Sequence, residues 1–181
     1  MINLMRRESF ERAKKIKLII SDVDGVLTDG GIYIGEEGEL FKAFNVKDGF
    51  GITLALRLGF KFAIITGRKS KQLEIRMKEL GVSDVFQGKI DKRMAYSDIK
   101  EKYALADEEI AYIGDDIVDL PIMAQVGFPA TVADAPSEVK NYSCVVSDLN
   151  GGHGAVREVI EFILKAQGLW QDVVNSYLFA P

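Results

Sequence analysis

Two aspartates one residue apart, Asp22 and Asp24, followed at once by Gly25, form a pair able to do chemistry that neither could do alone. Close carboxylates repel one another and ionise together only at a cost, unless something positive lies between them; a divalent cation meets that need. One acid of such a pair can attack an electrophile while the other exchanges protons with the leaving group and with water. Farther along stand Thr66-Gly67-Arg68, then Lys92, then Asp115 and Asp116 with Asp119 close behind. A hydroxyl, backbone N–H groups, a lysine and a metal ion all stabilise charge on phosphate oxygens, so the set suits phosphoryl transfer. On that reading Asp22 is the nucleophile, carrying the phosphoryl group as an aspartyl-phosphate, and Asp24 is the acid/base.

These groups act together only if the fold gathers them. Short apolar runs at 16–20, 60–65, 84–86, 110–113, about 130–132 and 144–146 read as strands. Helical composition covers 50–58, 69–80, 92–103, 136–141 and 155–167, with a short helix between Asp119 and Gly127. Strands and helices alternate, which predicts an α/β fold: a Rossmann-like open parallel sheet with helices on both faces. In such a sheet ligands bind at the carboxyl ends of the strands, and that is where Asp22/Asp24, Thr66 and Asp115 fall. Between the first strand and the helix at 50–58, residues 31–45 read as a projecting β-hairpin around a Gly-Glu-Glu-Gly turn. Residues 5–14, with Met5, Phe10 and Ala13 interspersed, suggest an amphipathic helix at the domain edge. The segment 169–181 ends in the apolar Tyr177-Leu178-Phe179, composition that suits docking on a neighbouring subunit as well as disorder.

Composition narrows the function further. The 181 residues suit a single domain, and 48% hydrophobic with 28% charged residues is ordinary for a soluble globular protein. A net charge of -4 offers no general attraction to nucleic acid or to anionic membranes, so any phosphate recognition must be local. With Cys144 and His153 the only residues of their kinds, there is no zinc-type cluster, and a metal must rest on oxygen ligands. Arg6 and Arg7 are not followed by an apolar stretch, and no segment approaches membrane-spanning length, so a cytoplasmic location is expected.

The order and spacing of these motifs resemble the haloacid dehalogenase superfamily of phosphatases: a DxD loop, a Thr after a second strand, a Lys, and an acidic GDD segment. Asp22 to Gly30, the hairpin, Val46 to Ile52, Thr66-Gly67-Arg68 and Gly151 to Glu158 resemble, more narrowly, the 3-deoxy-D-manno-octulosonate 8-phosphate phosphatases, and the likeness spans nearly the whole chain. The resemblance implies that Asp22, the main-chain carbonyl of Asp24, and Asp115 hold Mg²⁺, and that Thr66, Gly67 and Lys92 hold the phosphoryl group. Lys89 competes for the lysine role, but Lys92 follows Asp91 at a helix start, where the family places it. It implies hydrolysis of an anionic sugar-acid phosphate in lipopolysaccharide precursor biosynthesis, without a large cap domain. It also implies a homotetramer in which the hairpin of one subunit helps cover its neighbour's active site.

Substrate contacts are then expected from Asn45, Val46, Lys47, Asp48 and Gly49, and from Arg68 and Arg76, which with Gln72 would share one helix face. Asp116 is expected near the metal and Asp119 turned toward Lys92, although either could simply cap the next helix. Arg76 and Lys47 could equally be surface residues. His153, where the family often has Arg, reads as a loop residue rather than a base. The close alternative is a phosphatase of a nine-carbon 9-phosphate. A receiver-like signalling module fits less well, because the acceptor Asp22 lies on the first strand with Asp24 beside it. Asp24 argues against a dehalogenase, and the complete catalytic set argues against a scaffold.

Overall fold

The computed structural model describes the chain from Ile2 to Phe179. β1 (Leu18–Ser21) is buried along its whole length and pairs in parallel with β4 (Lys61–Ile65) on one side and β6 (Ile110–Gly114) on the other. β5 (Asp84–Phe86) extends the sheet beyond β4, while β7 (Phe128–Thr131) and β8 (Val145–Val146) extend it beyond β6. The order β5-β4-β1-β6-β7-β8 means that the chain builds outward from β1 in one direction, crosses back, and builds outward in the other. β1 and β6 therefore flank the switch point, where strand ends diverge and leave a crevice. Near-continuous apolar strands such as Ile110–Gly114 reflect burial on both faces.

Helices α1 (Ile2–Ala13), α2 (Val46–Arg57), α3 (Lys71–Leu80), α4 (Lys92–Tyr103), α5 (Leu120–Met123), α6 (Ser137–Asn141), α7 (Ala155–Ala166) and α8 (Trp170–Leu178) surround the sheet. Between β1 and α2 the antiparallel ribbon β2 (Tyr33–Gly35) and β3 (Gly38–Phe41) turns through Glu36-Glu37, with Gly38 in the left-handed region at φ +113°. Among the described residues this ribbon is the whole of the insertion between β1 and α2, and no large cap is present.

Local chemistry moves several boundaries from their expected positions. α2 starts at Val46 rather than residue 50, because the Asn45 side chain accepts a hydrogen bond from the Lys47 amide at 2.8 Å. Its internal glycines are retained for close packing: a Cβ on Gly49 would lie 2.2 Å from Arg76 Nη2, and one on Gly51 would lie 3.0 Å from Arg157 Cδ. α3 starts at Lys71 because Ser70 caps it, which leaves Arg68 in the preceding bend and off the helix face it was expected to share with Gln72 and Arg76. The expected amphipathic helix at 5–14 coincides with α1 up to Ala13, which is buried, and Phe10 meets Phe162 edge-on; the Met5 side chain lies outside the described residues.

The C-terminal segment folds back as α8. Arg157 lies between the rings of Phe50 and Trp170, at 5.1 and 5.2 Å, and Tyr177 meets Phe50 edge-on at 5.8 Å. These stacked groups join α2, α7 and α8 into one layer. Ala180 and Pro181, the end of the expected tail, lie outside the described residues.

Candidate active site

Three strand ends converge on a cleft of about 320 Å³ lined by Asp22, Asp24, Thr66, Gly67, Arg68, Lys89, Ile90, Lys92, Asp115, Asp116 and Val118. Asp22 follows β1 and is locked in place by its amide, which donates to the Ile113 carbonyl of β6 at 2.9 Å. Thr66 follows β4, is buried, and donates its amide to Phe86 of β5 at 2.9 Å. Lys92 enters from the first turn of α4, whose start is set by Asp91 accepting from the Arg93 amide. Lys89 also lines the cleft, but it is Lys92 that reaches the acids.

Lys92 Nζ lies 2.6 Å from Asp22 Oδ2 and 2.6 Å from Asp119 Oδ1. Asp119 is fully enclosed. Its Oδ1 also accepts from the Tyr112 hydroxyl at 2.6 Å, and its Oδ2 accepts from the amides of Asp115 and Asp116 at 3.0 and 3.2 Å. With both oxygens so engaged, Asp119 orients Lys92 and the acidic loop rather than offering a ligand to an ion. Asp116 lines the cleft while its side chain caps the turn at Ile117.

Burial, together with the neighbouring Asp119 charge, pushes the Asp22 carboxyl up to about 6, even though Lys92 opposes the shift. Burial and the charges of Asp119 and Asp22 push Asp115 up to about 8. Burial also works against the Lys92 ammonium, but Asp119 and Asp22 outweigh it and hold the group above the usual lysine range. Three carboxylates and one ammonium thus leave the cluster short of positive charge.

Oxygens of Asp22, Asp115 and Asp119 lie within 4.8 Å of one another. Asp115 Oδ1 is buried with no hydrogen-bond partner among the described residues. An orphaned carboxylate oxygen beside a second acid, in a cluster lacking positive charge, fits a hard divalent cation with oxygen ligands. Gly25 makes room for this arrangement: it sits at φ +87°, and a Cβ there would be 2.0 Å from Asp115 Oδ2.

The remaining expected substrate contacts lie elsewhere in the chain's own fold. Asp48 corrects its assignment: it is 1% exposed, its carboxylate accepts from the amides of Gly154 and Arg157 at the start of α7, and burial raises its carboxyl above the usual range. It caps a helix. Asn45 and Gly49 line a separate small cavity with Asp48 and Arg76, while Val46 and Lys47 are exposed at the start of α2. Arg76 pairs with Glu79 at 3.1 Å and is not among the groups lining the acidic cleft, whereas Arg68 is. His153 is exposed, with Nδ1 2.7 Å from the Gly151 carbonyl.

Sequence reasoning missed Tyr112 and Lys42. A lone tyrosine in a wholly buried strand and a lone charge in the run Leu40-Phe41-Lys42-Ala43-Phe44 were the available signals.

The catalytic architecture described above, an acidic crevice at the switch point of a parallel sheet, is that of the haloacid dehalogenase-like hydrolases, whose family model matches residues 74–160. Among relatives, the 3-deoxy-D-manno-octulosonate 8-phosphate phosphatase KdsC of Escherichia coli is 50% identical over 157 residues, covering 87% of this chain and 84% of that protein. A crystal structure of the phosphatase of the same name from Yersinia pestis shares 46% identity at a TM-score of 0.89, over 91% of this chain and 89% of that one. Its counterpart from Moraxella catarrhalis, in complex with magnesium ion, phosphate ion and KDO, shares 40% identity at a TM-score of 0.92, over 94% and 98% of the two chains. The chain belongs to the 3-deoxy-D-manno-octulosonate 8-phosphate phosphatase family.

Proposed function

We propose that the protein is a Mg²⁺-dependent phosphomonoesterase that hydrolyses 3-deoxy-D-manno-octulosonate 8-phosphate to the free sugar acid and phosphate. The observation that carries this reading is the pairing of Lys92 Nζ with Asp22 Oδ2 at 2.6 Å in a cleft shared with Asp24, Thr66 and Asp115. The names of the relatives and the magnesium, phosphate and KDO of the Moraxella complex support the substrate and the ion.

In the first step an Asp22 carboxylate oxygen bonds to phosphorus as the bond to the substrate's 8-oxygen breaks, and Asp24 gives that oxygen its proton. In the second, Asp24 takes a proton from water, whose oxygen bonds to phosphorus as the Asp22–phosphorus bond breaks. The Thr66 hydroxyl, the amide of Gly67 and the Lys92 ammonium hold the phosphoryl oxygens through both steps. Asp22, Asp115 and the main-chain carbonyl of Asp24 would hold Mg²⁺, which supplies positive charge to the phosphoryl oxygens and to the crowded carboxylates. Asp119 and Tyr112 keep Lys92 aimed, and Asp116 holds the loop that carries Asp115. Arg68, at the mouth of the cleft, receives the anionic sugar acid.

We further propose a homotetramer working in the cytoplasm. The hairpin leaves Ile34 74% and Leu40 63% exposed, which supports its burial against neighbouring subunits, where it would help cover their clefts. In that assembly the exposed Val46 and Lys47, at the start of α2, are the members of the 45–49 segment open to a substrate.

The test is phosphate release from 3-deoxy-D-manno-octulosonate 8-phosphate with Mg²⁺, measured against a panel of sugar phosphates that includes a nine-carbon 9-phosphate, with Asp22→Asn as the control. Preferential release, abolished by EDTA and by the substitution, is the expected result. Preference for the nine-carbon ester would move the assignment to that substrate, and no turnover of any ester would refute the enzyme reading.

A further inference from the structure

Lys42 directly follows β3 and has no part in the chemistry assigned so far. Its side chain is 3% exposed, and its ammonium forms ion pairs with Asp24 Oδ1 and, at 3.3 Å, with Glu39 Oε1. Glu39 is anchored in turn: its carboxylate accepts from the Ser70 hydroxyl, and its main-chain carbonyl accepts from Gln72 Nε2 at 3.2 Å. Arg68 approaches the same two acids, 3.9 Å from Asp24 Oδ2 and 3.9 Å from Glu39 Oε1. The base of the hairpin is thereby tied to Asp24 on one side and to the start of α3 on the other.

Burying an ammonium is unfavourable unless carboxylates surround it, and methionine or leucine would suit the apolar run around Lys42 better. The charge is placed instead on the one carboxylate that must both give and take a proton. With Oδ1 held by Lys42, the Asp24 carboxyl cannot swing freely, and Oδ2 is left as the oxygen free of Lys42. General acid/base catalysis depends on such geometry, because the proton must lie within hydrogen-bond reach of the reacting oxygen.

We propose that Lys42 is a positioning residue for proton transfer: it fixes the rotamer of Asp24, so that the hairpin of each chain completes that chain's own acid/base. This inference rests on the reading of Asp24 as the acid/base. It makes the hairpin a working part of its own cleft, besides any service to a neighbour.

The test exploits leaving groups. An alkoxide such as the sugar's 8-oxygen needs a proton as it departs, whereas 4-nitrophenolate does not. Release of each leaving group is measured in the first turnover, before water attacks Asp22. For Lys42→Met, release from the sugar phosphate is expected to fall about 30-fold, less than the roughly 100-fold or more of losing a general acid outright, and release from 4-nitrophenyl phosphate less than about 3-fold. Lys42→Arg is expected to recover most of the loss. The double variant Glu39→Gln/Lys42→Met, which also neutralises the hairpin carboxylate that loses its lysine, is expected to keep the selective defect, and melting temperatures identify any variant that has lost its fold. Equal losses on both esters, full recovery in the double variant, or no loss on the sugar phosphate would each overturn the proposal. Asp24→Asn separates the two readings: if it shows no selective loss, the acid/base assignment itself fails. If it does and Lys42→Met does not, only the positioning role falls.

Discussion

Lys92 stands 2.6 Å from each of two aspartates, and a third, Asp115, shares the cluster with one oxygen unpartnered. The linkage consequence follows from the raised carboxyls, at about 6 for Asp22 and about 8 for Asp115 against an ordinary 3.8. From about pH 4 to pH 8 the metal-free folded chain holds protons that the unfolded chain has already released. Its stability therefore falls as pH rises through that window. The effect for Asp22 alone is on the order of 3 kcal/mol over its whole titration, of which about half, or roughly 3–6 °C in Tm for a chain of this size, falls between pH 5 and pH 8. Thermal unfolding in EDTA from pH 5 to pH 8 should show that decline, and Mg²⁺ should raise Tm more at pH 8 than at pH 5. A flat profile would contradict the crowded cluster. At the same scale, Tyr112→Phe removes one of the donors on Asp119 and should lower kcat by about 3–10-fold with little change in KM, in line with the roughly 1 kcal/mol of a single hydrogen bond.

At the level of elements, the loop after β1 that carries Asp22 and Asp24 packs closely on the backbone of Gly151 and Gly152. A Cβ on Gly151 would lie 1.8 Å from the Gly25 carbonyl, and one on Gly152 would lie 2.5 Å from the Asp29 amide. Gly152 also donates its amide to the Val26 carbonyl at 2.9 Å. Gly151→Ala must push the Asp22 loop away and should cost about 1–3 kcal/mol of stability, with activity falling by more than the loss of folded protein explains. Denaturant unfolding and kcat on the same sample would check this. Strand ends such as those at Asp22, Thr66 and Asp115 were legible because apolar runs buried on both faces mark their own limits. The roles of Asp48 and Lys42 were not. Asp48 caps a helix more than 100 residues away in the chain, and Lys42 meets Asp24 only after the hairpin folds over the cleft. Arg68 was misplaced on a helix because composition did not reveal that Ser70, two residues later, is the cap.

For the whole molecule, the proposed assembly rests on the hairpin. Ile32, Ile34, Leu40 and Phe41 are each at least 45% exposed on one short ribbon, a surface more apolar than a solitary arm sustains in water. Sedimentation should find an assembly of four chains, and Ile34→Lys with Leu40→Lys should reduce it to smaller species while leaving the fold intact. A monomer in the unaltered protein would refute this. The parallel sheet and its crevice were legible from alternation alone, whereas how the last helix folds back was not, because the docking of α8 rests on Arg157 between two rings from distant segments. That same stack has an optical consequence. Trp170 is the only tryptophan in the sequence and lies against the guanidinium that joins the three helices. Its emission, excited alone, is a built-in gauge of whether the last helix is seated, readable without label or mutation while substrate binds or subunits associate.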